Sequence, residues 1–282
     1  MGEEVALARD SAPDGKPPLV APIHQVAPIP SISVSALMCL SRCPRWYVYE
    51  YVLGLSRVSG FEGEGEGLET MSASLRGQIV HEVCRRARTE QEAREALRHE
   101  LDSLGVSGDS RAAMEEKLLP LVRAFLKSPE ARAEGYREQP FLLALGHTVV
   151  AGIMDYVAYH DHGAVVVDLK TNAITEGEAE MVAEDYRVQM KAYALAAHRG
   201  FGVDHVTAEL HFLAPDVRVP MEFGPEEFEK AEQELARLVE LAATCTLQST
   251  SPKRSRHCDT CYYAPLCWGQ EGERSRAGLD ED

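Results

Sequence analysis

The chain has 282 residues, 45% of them hydrophobic and 26% charged, enough for one large domain with its own core and a tight fit for two. These ordinary globular values exclude a collagen-like, mucin-like or wholly disordered protein, and no stretch reaches the ~18 uninterrupted apolar residues of a membrane span. Lys plus Arg number 29 against 45 Asp plus Glu, a net charge of −16, which speaks against broad non-specific binding to a polyanion but leaves room for a local basic groove.

The acidic start, Met1-Gly2-Glu3-Glu4, is followed by no long apolar run, so a cytoplasmic protein is expected. Residues 1–30 hold six of the 15 prolines and no helical or strand periodicity, and are expected as a disordered or extended tail. From Val34 to Leu53 the spacing of Leu37, Leu40, Trp46/Tyr47 and Tyr51 predicts helix, interrupted around Cys43-Pro44 because proline disfavours helix at the residue before it. Glu62 to Glu69, with Gly63, Gly65 and Gly67, reads as an acidic loop. Residues 72–103 are rich in Ala, Leu, Glu and Arg, and Leu75, Ile79 and Val83 recur at helical spacing, which predicts one long helix, with another from Ser110 to Leu126.

The texture then changes. Pro140 to Leu145, Thr148 to Gly152, Ile153 to Tyr159 and Ala164 to Leu169 read as strands of one sheet, separated at Leu145-Gly146 and Asp161-His162-Gly163. Met181 to His198 reads as helix, Val206 to Leu213 and Val217 to Phe223 as a strand pair, and Pro225 to Ala242 as a helix with proline in its first turn. Residues 269–282 form an acidic tail, which leaves 31–268 as the folded domain.

Two adjacent predicted strands carry Gly152-Ile-Met-Asp155 and Val165-Val-Val-Asp168-Leu-Lys170. Carboxylates suit hard cations such as Mg²⁺ or Mn²⁺, and a metal held by two of them can activate water and offset the charge developing on a phosphodiester. Strand alternation sends Asp168 and Lys170 to one side and Leu169 to the other, into the core. The tripeptide alone is weak, since Asp14-Gly-Lys16 and Glu115-Glu-Lys117 also occur. Those two lie in the proline-rich tail and on a helix, whereas Asp168 closes a β-branched run. Around it stand Gly77-x-x-x-His81, Glu138, and Tyr186, Gln189 and Tyr193 on one helical face.

In this order the residues resemble the RecB-like branch of the PD-(D/E)XK nuclease superfamily, over about Ser31 to Cys267. The resemblance implies a restriction-endonuclease-like α/β fold, a central mixed sheet flanked by helices. It implies that His81, Asp155 and Asp168 hold the metal, that Lys170 assists the attacking water, that Gln189 and Tyr193 line the site and contact DNA, and that Glu138 belongs to the catalytic set.

The C-terminal segment carries Cys258-x2-Cys261-x5-Cys267, and the early region carries Cys39 and Cys43-Pro44-Arg45-Trp46-Tyr47. Three clustered thiolates lack one ligand, which Cys43 or Cys39 could supply, and four thiolates suit zinc or an iron–sulfur cluster. The spacing fits paired zinc ligands poorly. AddB-type and CRISPR-associated members of this nuclease branch, which the cysteine pattern resembles, carry one cysteine before the core and three after it, binding a 4Fe-4S cluster. The resemblance therefore implies Cys43, Cys258, Cys261 and Cys267 as ligands and a C-terminal segment packed back on an N-terminal helical part. Cys84 and Cys245 read as small buried hydrophobes. Arg42, Arg45, Arg254 and Arg256 flank the segment and are expected to meet DNA phosphates.

The expected function is a metal-dependent DNA exonuclease acting on single strands or ends, in repair, recombination or CRISPR adaptation, with a helicase or CRISPR adaptation proteins as partners and no membrane association. A nuclease module working only beside a helicase, and a non-catalytic iron–sulfur DNA-binding or assembly protein, are the alternatives.

Overall fold

A computed structural model describes residues 19–20, 30–55, 73–160 and 163–268. The acidic loop at 62–69, the tail at 269–282 and most of 1–30 lie outside them. The expected tail does contribute one element: β1 (Leu19–Val20) pairs in parallel with Phe141 and Leu142 of β3 (Tyr136–Leu145). After β2 (Ser31–Ser33), whose Ser33 side chain caps the next helix by accepting from the Ala36 N–H, come α1 (Val34–Arg42) and α2 (Pro44–Tyr47). The chain then makes a π-helical turn at Val48–Val52.

The single helix expected over 72–103 is two, α3 (Ala73–Arg86) and α4 (Glu90–Ser103). Thr89 and Glu92 form a reciprocal capping box that satisfies orphan N–H groups and starts α4 afresh. α5 (Gly108–Lys127) and the short α6 (Pro129–Arg132) follow. β3 (Tyr136–Leu145), β4 (Thr148–His160) and β5 (Gly163–Lys170) come next, β4 joining what the sequence divides into two strands. The expected helix from Met181 is broken into α7 (Ala179–Ala183), a 3-10 turn at Glu184–Tyr186, and α8 (Arg187–Phe201). β6 (Val206–Phe212), β7 (Val217–Phe223), α9 (Pro225–Thr244), a 3-10 turn at Arg256–Thr260 and α10 (Ala264–Trp268) complete the chain.

The sheet is mixed, in the order β1-β3-β4-β5-β6-β7, with β2 added parallel to β4. On one face α1, α8 and α9 bury Leu37, Met190, Leu195 and Leu235 against Phe141, Val150, Val166 and Leu210. On the other, α3, α4 and α5 bury Val83, Leu97, Leu118 and Phe125 against Tyr156, Val167 and Leu169. Each such leucine or valine contributes about 1.5–3 kcal/mol of transfer free energy. A third cluster joins α1 and α2 to the end of α9 through Leu40, Tyr47, Val48 and Cys245.

Two features of this sheet open a site. The edge of β4 that faces β5 is shared: β2 pairs with Val149 to Ala151, and β5 pairs with Tyr156 to His160. Among the described residues, 152–155 have no strand beside them on that edge, so β4 and β5 splay apart around Asp155. At the same level both β3 and β4 break their alternation. Met154 faces α8, Asp155 and Tyr156 both face α3, and Val157 returns to the α8 side. On β3, Arg137 and Glu138 likewise both face α3, and Glu138 has a φ of +51°. For a non-glycine residue that conformation costs about 1–3 kcal/mol and is retained only where the surroundings over-determine it. Gly152 is set by packing, since a Cβ there would come within 2.7 Å of the Phe141 ring.

Candidate active site

His81 on α3 points across the notch, its Nδ1 3.1 Å from Asp155 Oδ1. The other Asp155 oxygen accepts from the Leu169 backbone N–H at 2.7 Å, so a side chain replaces the ladder bond that the splayed strands cannot make. Burial would raise the Asp155 carboxyl, but His81, Lys170 and that N–H outweigh it and hold it below its ordinary value. Burial likewise opposes charge on His81, yet the Asp155 carboxylate lifts its imidazole to about 9. Glu138 completes this side: it is pushed up to about 7 by burial and by the Asp155 charge. His81, Glu138 and Asp155 each offer a ligand atom within 4.8 Å of the others, a donor set of one imidazole and two carboxylates.

Asp168 and Lys170 project from β5 to the same side and form an ion pair, while Leu169 enters the core, as the alternation predicts. Asp168 is 1% exposed, and burial, opposed by Lys170, pushes its carboxyl up to about 6. Gln189 on α8 spans the pair: its Nε2 donates to Asp168 Oδ1 at 2.9 Å and its Oε1 accepts from Lys170 Nζ at 3.0 Å. Burial lowers the lysine, but Asp168 more than compensates, so the group is an ammonium. Asp168 Oδ2 is buried with this ion pair as its contact and no directed hydrogen bond among the described residues. The convergence of one imidazole and two carboxylates within ligand distance of one another, beside this ion pair, fits a hard divalent cation.

The placement differs from the sequence expectation in two respects. Among the described residues the ligand-distance group contains Glu138 in place of Asp168, whose carboxylate is turned to Lys170 and Gln189. Gln189 and Tyr193, expected to line the site and contact DNA, stand beside the β5 pair with their side chains engaged by protein partners. Tyr193 is 4% exposed and packs edge-on to Phe141, and its hydroxyl donates to the Ile153 carbonyl at 2.5 Å and accepts from Gln189 at 2.8 Å. Gly77, Gln78, His81, Glu82 and Glu138 line the open mouth of the site. Sequence reasoning missed Asn172, which accepts from the Tyr186 hydroxyl at 3.2 Å, and Asp185; no motif marks either.

Cys43, Cys258, Cys261 and Cys267 line one cavity between α2 and the C-terminal segment. Cys39 sits in the α1 core with a thiol pushed upward by burial, and Cys84 and Cys245 are buried as expected. Burial and the neighbouring thiols push Cys261 up to about 11, and burial raises Cys267 as well. The Trp46 and Ser255 N–H groups point at Cys43 and Cys258 Sγ, at 3.5 and 3.4 Å. Four converging sulfurs whose ionised forms repel one another, with backbone donors at two of them, fit a thiolate-bound metal centre.

The four arginines divide. Arg45 donates to the Leu247 and Thr250 carbonyls, both at 2.6 Å, and to the Tyr49 hydroxyl, so it ties the C-terminal segment to α2. Arg42 and Arg256 both reach Asp185, and Arg254 lies over Trp268 on the surface.

The model of the PD-(D/E)XK nuclease superfamily matches residues 31–268. The chain is 32% identical over 148 residues to an ATP-dependent helicase/nuclease subunit of Streptococcus mutans serotype c, covering 49% of this chain and 12% of that protein. To the protein of the same name from a Thermoanaerobacter species it is 27% identical over 126 residues, 43% of this chain and 10% of that one. The chain thus spans about a tenth of the length of these relatives. Among solved structures, the crystal structure of SSO0001 aligns with a TM-score of 0.44 and 17% identity, over 87% of this chain and 89% of that one.

Proposed function

The chain belongs to the PD-(D/E)XK nuclease superfamily, and from that premise we propose that it is a Mg²⁺- or Mn²⁺-dependent DNA nuclease, an exonuclease acting on single strands or ends. The observation that carries the reading is the notch at Asp155, where His81, Glu138 and Asp155 offer a metal-ligand set beside the Asp168–Lys170–Gln189 chain. When bound, a divalent cation supplies charge neutralisation at the scissile phosphate and acidifies a water. His81 and the Leu169 N–H fix the Asp155 carboxylate, so its oxygens are oriented before substrate arrives. Gln189 fixes Asp168 and the Lys170 ammonium together. The ammonium, protonated in this setting, acts by donating: it orients water and offsets charge on phosphate oxygens. Glu138, pushed up to about 7 in the metal-free site, would give up its proton on taking the cation, so metal binding there is linked to pH.

We further assign a 4Fe-4S cluster to Cys43, Cys258, Cys261 and Cys267. Their convergence on one cavity from the start and the end of the fold supports it. A partner helicase is the second reading, favoured by the names of the relatives that this domain resembles.

Incubation with end-labelled single- and double-stranded DNA and with circular single-stranded DNA, in Mg²⁺, Mn²⁺ or EDTA, tests the activity. Metal-dependent shortening of linear DNA with intact circles is expected. Cut circles would replace the exonuclease by an endonuclease, and activity only on addition of a helicase would favour the second reading.

A further inference from the structure

The 3-10 turn at Glu184–Tyr186 lies between the two sites and touches both. On its cysteine side, Arg42, the residue before Cys43, donates to the Asp185 carbonyl at 3.0 Å, and its guanidinium lies 5.6 Å from the Tyr186 ring centroid. Arg256, two residues before Cys258, pairs with the Asp185 carboxylate at 2.5 Å, and His257 Nε2 stands 3.8 Å from the same oxygen. On its catalytic side the Tyr186 ring lies 4.3 Å from Lys170 Nζ, and its hydroxyl donates to Asn172, two residues beyond the lysine. Phe212 meets the ring edge-on at 6.4 Å, which fixes its plane.

The geometry points to Tyr186 as a positioning residue: anchored by Asp185 to the neighbours of Cys43 and Cys258, its ring holds the Lys170 ammonium beside Asp168. The inference rests on the nuclease reading above and adds that the cysteine segment sets the geometry of the catalytic lysine through this turn. Gln189 and Asp168 fix the ammonium by hydrogen bond and charge. The ring adds a third contact of a different kind, since a desolvated cation over an aromatic face is held by the ring quadrupole. An aliphatic side chain would fill space there without attracting the charge.

The test uses the full chain with its cysteine site loaded, in four variants: Tyr186→Leu, Tyr186→Phe, Asp185→Asn and the double Asp185→Asn/Tyr186→Leu. Cleavage is resolved into kcat and KM, Lys170 acylation by a water-soluble succinimidyl ester is followed by peptide mass, and iron content and thermal midpoint are recorded. Tyr186→Leu should lower kcat about 10–100-fold at unchanged KM, the range expected for a misplaced catalytic group, and acylate Lys170 several-fold faster. Tyr186→Phe, which keeps the ring, should restore both to near the parent. Asp185→Asn should give a smaller loss of the same kind, and the double variant should be no worse than Tyr186→Leu alone, with iron and midpoint retained throughout. Parent-like kcat and lysine reactivity in Tyr186→Leu would overturn the inference and leave the nuclease reading intact, as would equal losses in the Leu and Phe variants. If the parent protein does not cleave DNA, the nuclease reading fails by itself, and unchanged Lys170 acylation across the variants would still dispose of the positioning role separately.

Discussion

The acid notch and the cysteine cavity are both gathered from distant parts of the chain, yet they are neutralised in opposite ways. In the notch two opposite-charge pairs come from the protein itself: His81 faces Asp155, Lys170 faces Asp168, and Gln189 bridges the latter pair, while Glu138 stands beside Asp155 with its carboxyl pushed up. In the cavity four like groups face one another with weak N–H contacts at two of them, and the Arg45 charge that acts on Cys267 is already tied to two carbonyls. A site that balances its own charge can fold first and bind metal afterwards. One made of like donors depends on its ligand for cohesion. Damage to the first should therefore appear as lost chemistry, and damage to the second as lost structure.

The largest expected effect sharpens that contrast at the notch. Asp168→Asn and Lys170→Ala should each reduce cleavage on the order of 10³-fold or more, since charge stabilisation at the reacting phosphate disappears. Circular dichroism and affinity for DNA in EDTA should stay near the parent. Parent-like cleavage in either variant would remove the β5 pair from the mechanism.

Next in size, Cys261→Ser should lower iron content, solubility and protease resistance together, and activity only as a consequence. Closing a loop above ~100 residues is worth on the order of 4–5 kcal/mol in the chain-entropy account, comparable to much of a domain's net stability. On the cluster proposal anaerobically purified protein should be brown, and Cys84→Ser and Cys245→Ser should leave that colour intact, because those thiols pack in hydrophobic clusters and do not line the cavity. Colour that survives Cys43→Ser but not Cys39→Ser would reverse the choice of first ligand, and stoichiometric zinc would replace the cluster.

Local rules in the sequence reached the parts of the notch that obey regular alternation. Asp168 and Lys170 share a side and Leu169 enters the core because β5 is regular to its end. The helix break at 87–89 was equally legible, in Thr89-x-x-Glu92, and only the longer Ala/Glu/Arg pattern concealed it. The arrival of Glu138 within ligand distance of His81 and Asp155 was not legible, because it depends on a left-handed φ and on two strands breaking alternation at one level. The burial of Tyr193 and the internal tie made by Arg45 were also out of reach: the first depends on how α8 lies over β4, the second on where the C-terminal segment returns.

The metal-free notch should also be visible in the pH dependence of stability. His81 rises from 6.5 to about 9 in the folded protein, so its contribution is full below 6.5 and is lost as pH climbs through 9. Glu138 rises from 4.5 to about 7 and Asp168 from 3.8 to about 6, so the folded state also loses stability as each ionises, between the two values in each case. All three act in one direction. In EDTA the thermal midpoint should fall from pH 5 to pH 9, Glu138→Gln should flatten the part between 4.5 and 7, and added Mg²⁺ should raise the midpoint more at pH 8 than at pH 5. A Mg²⁺ effect independent of pH would detach these groups from metal binding.

The smallest effects separate the arginines that flank the cysteine segment. Arg45 spends its donors on Leu247, Thr250 and Tyr49, whereas Arg254 is exposed on the surface with its guanidinium 4.9 Å from the Trp268 ring, so among the described residues it is oriented without being tied to a carbonyl or carboxylate. An arginine already satisfied inside the protein gains little from a phosphate, while one held by an aromatic face keeps its donors for it. Arg254→Gln should weaken DNA binding for all sequences alike and reduce the slope of log K against log salt by about 0.7–0.9, the counterion release of one contact, with the thermal midpoint unchanged. Arg45→Gln should do the reverse, lowering the midpoint and leaving the slope alone, because the two carbonyls it leaves lose charge-assisted partners. Fluorescence titration of labelled single-stranded DNA at several salt concentrations measures the slope. A slope unchanged in Arg254→Gln would leave the exposed cation as a solvated surface group.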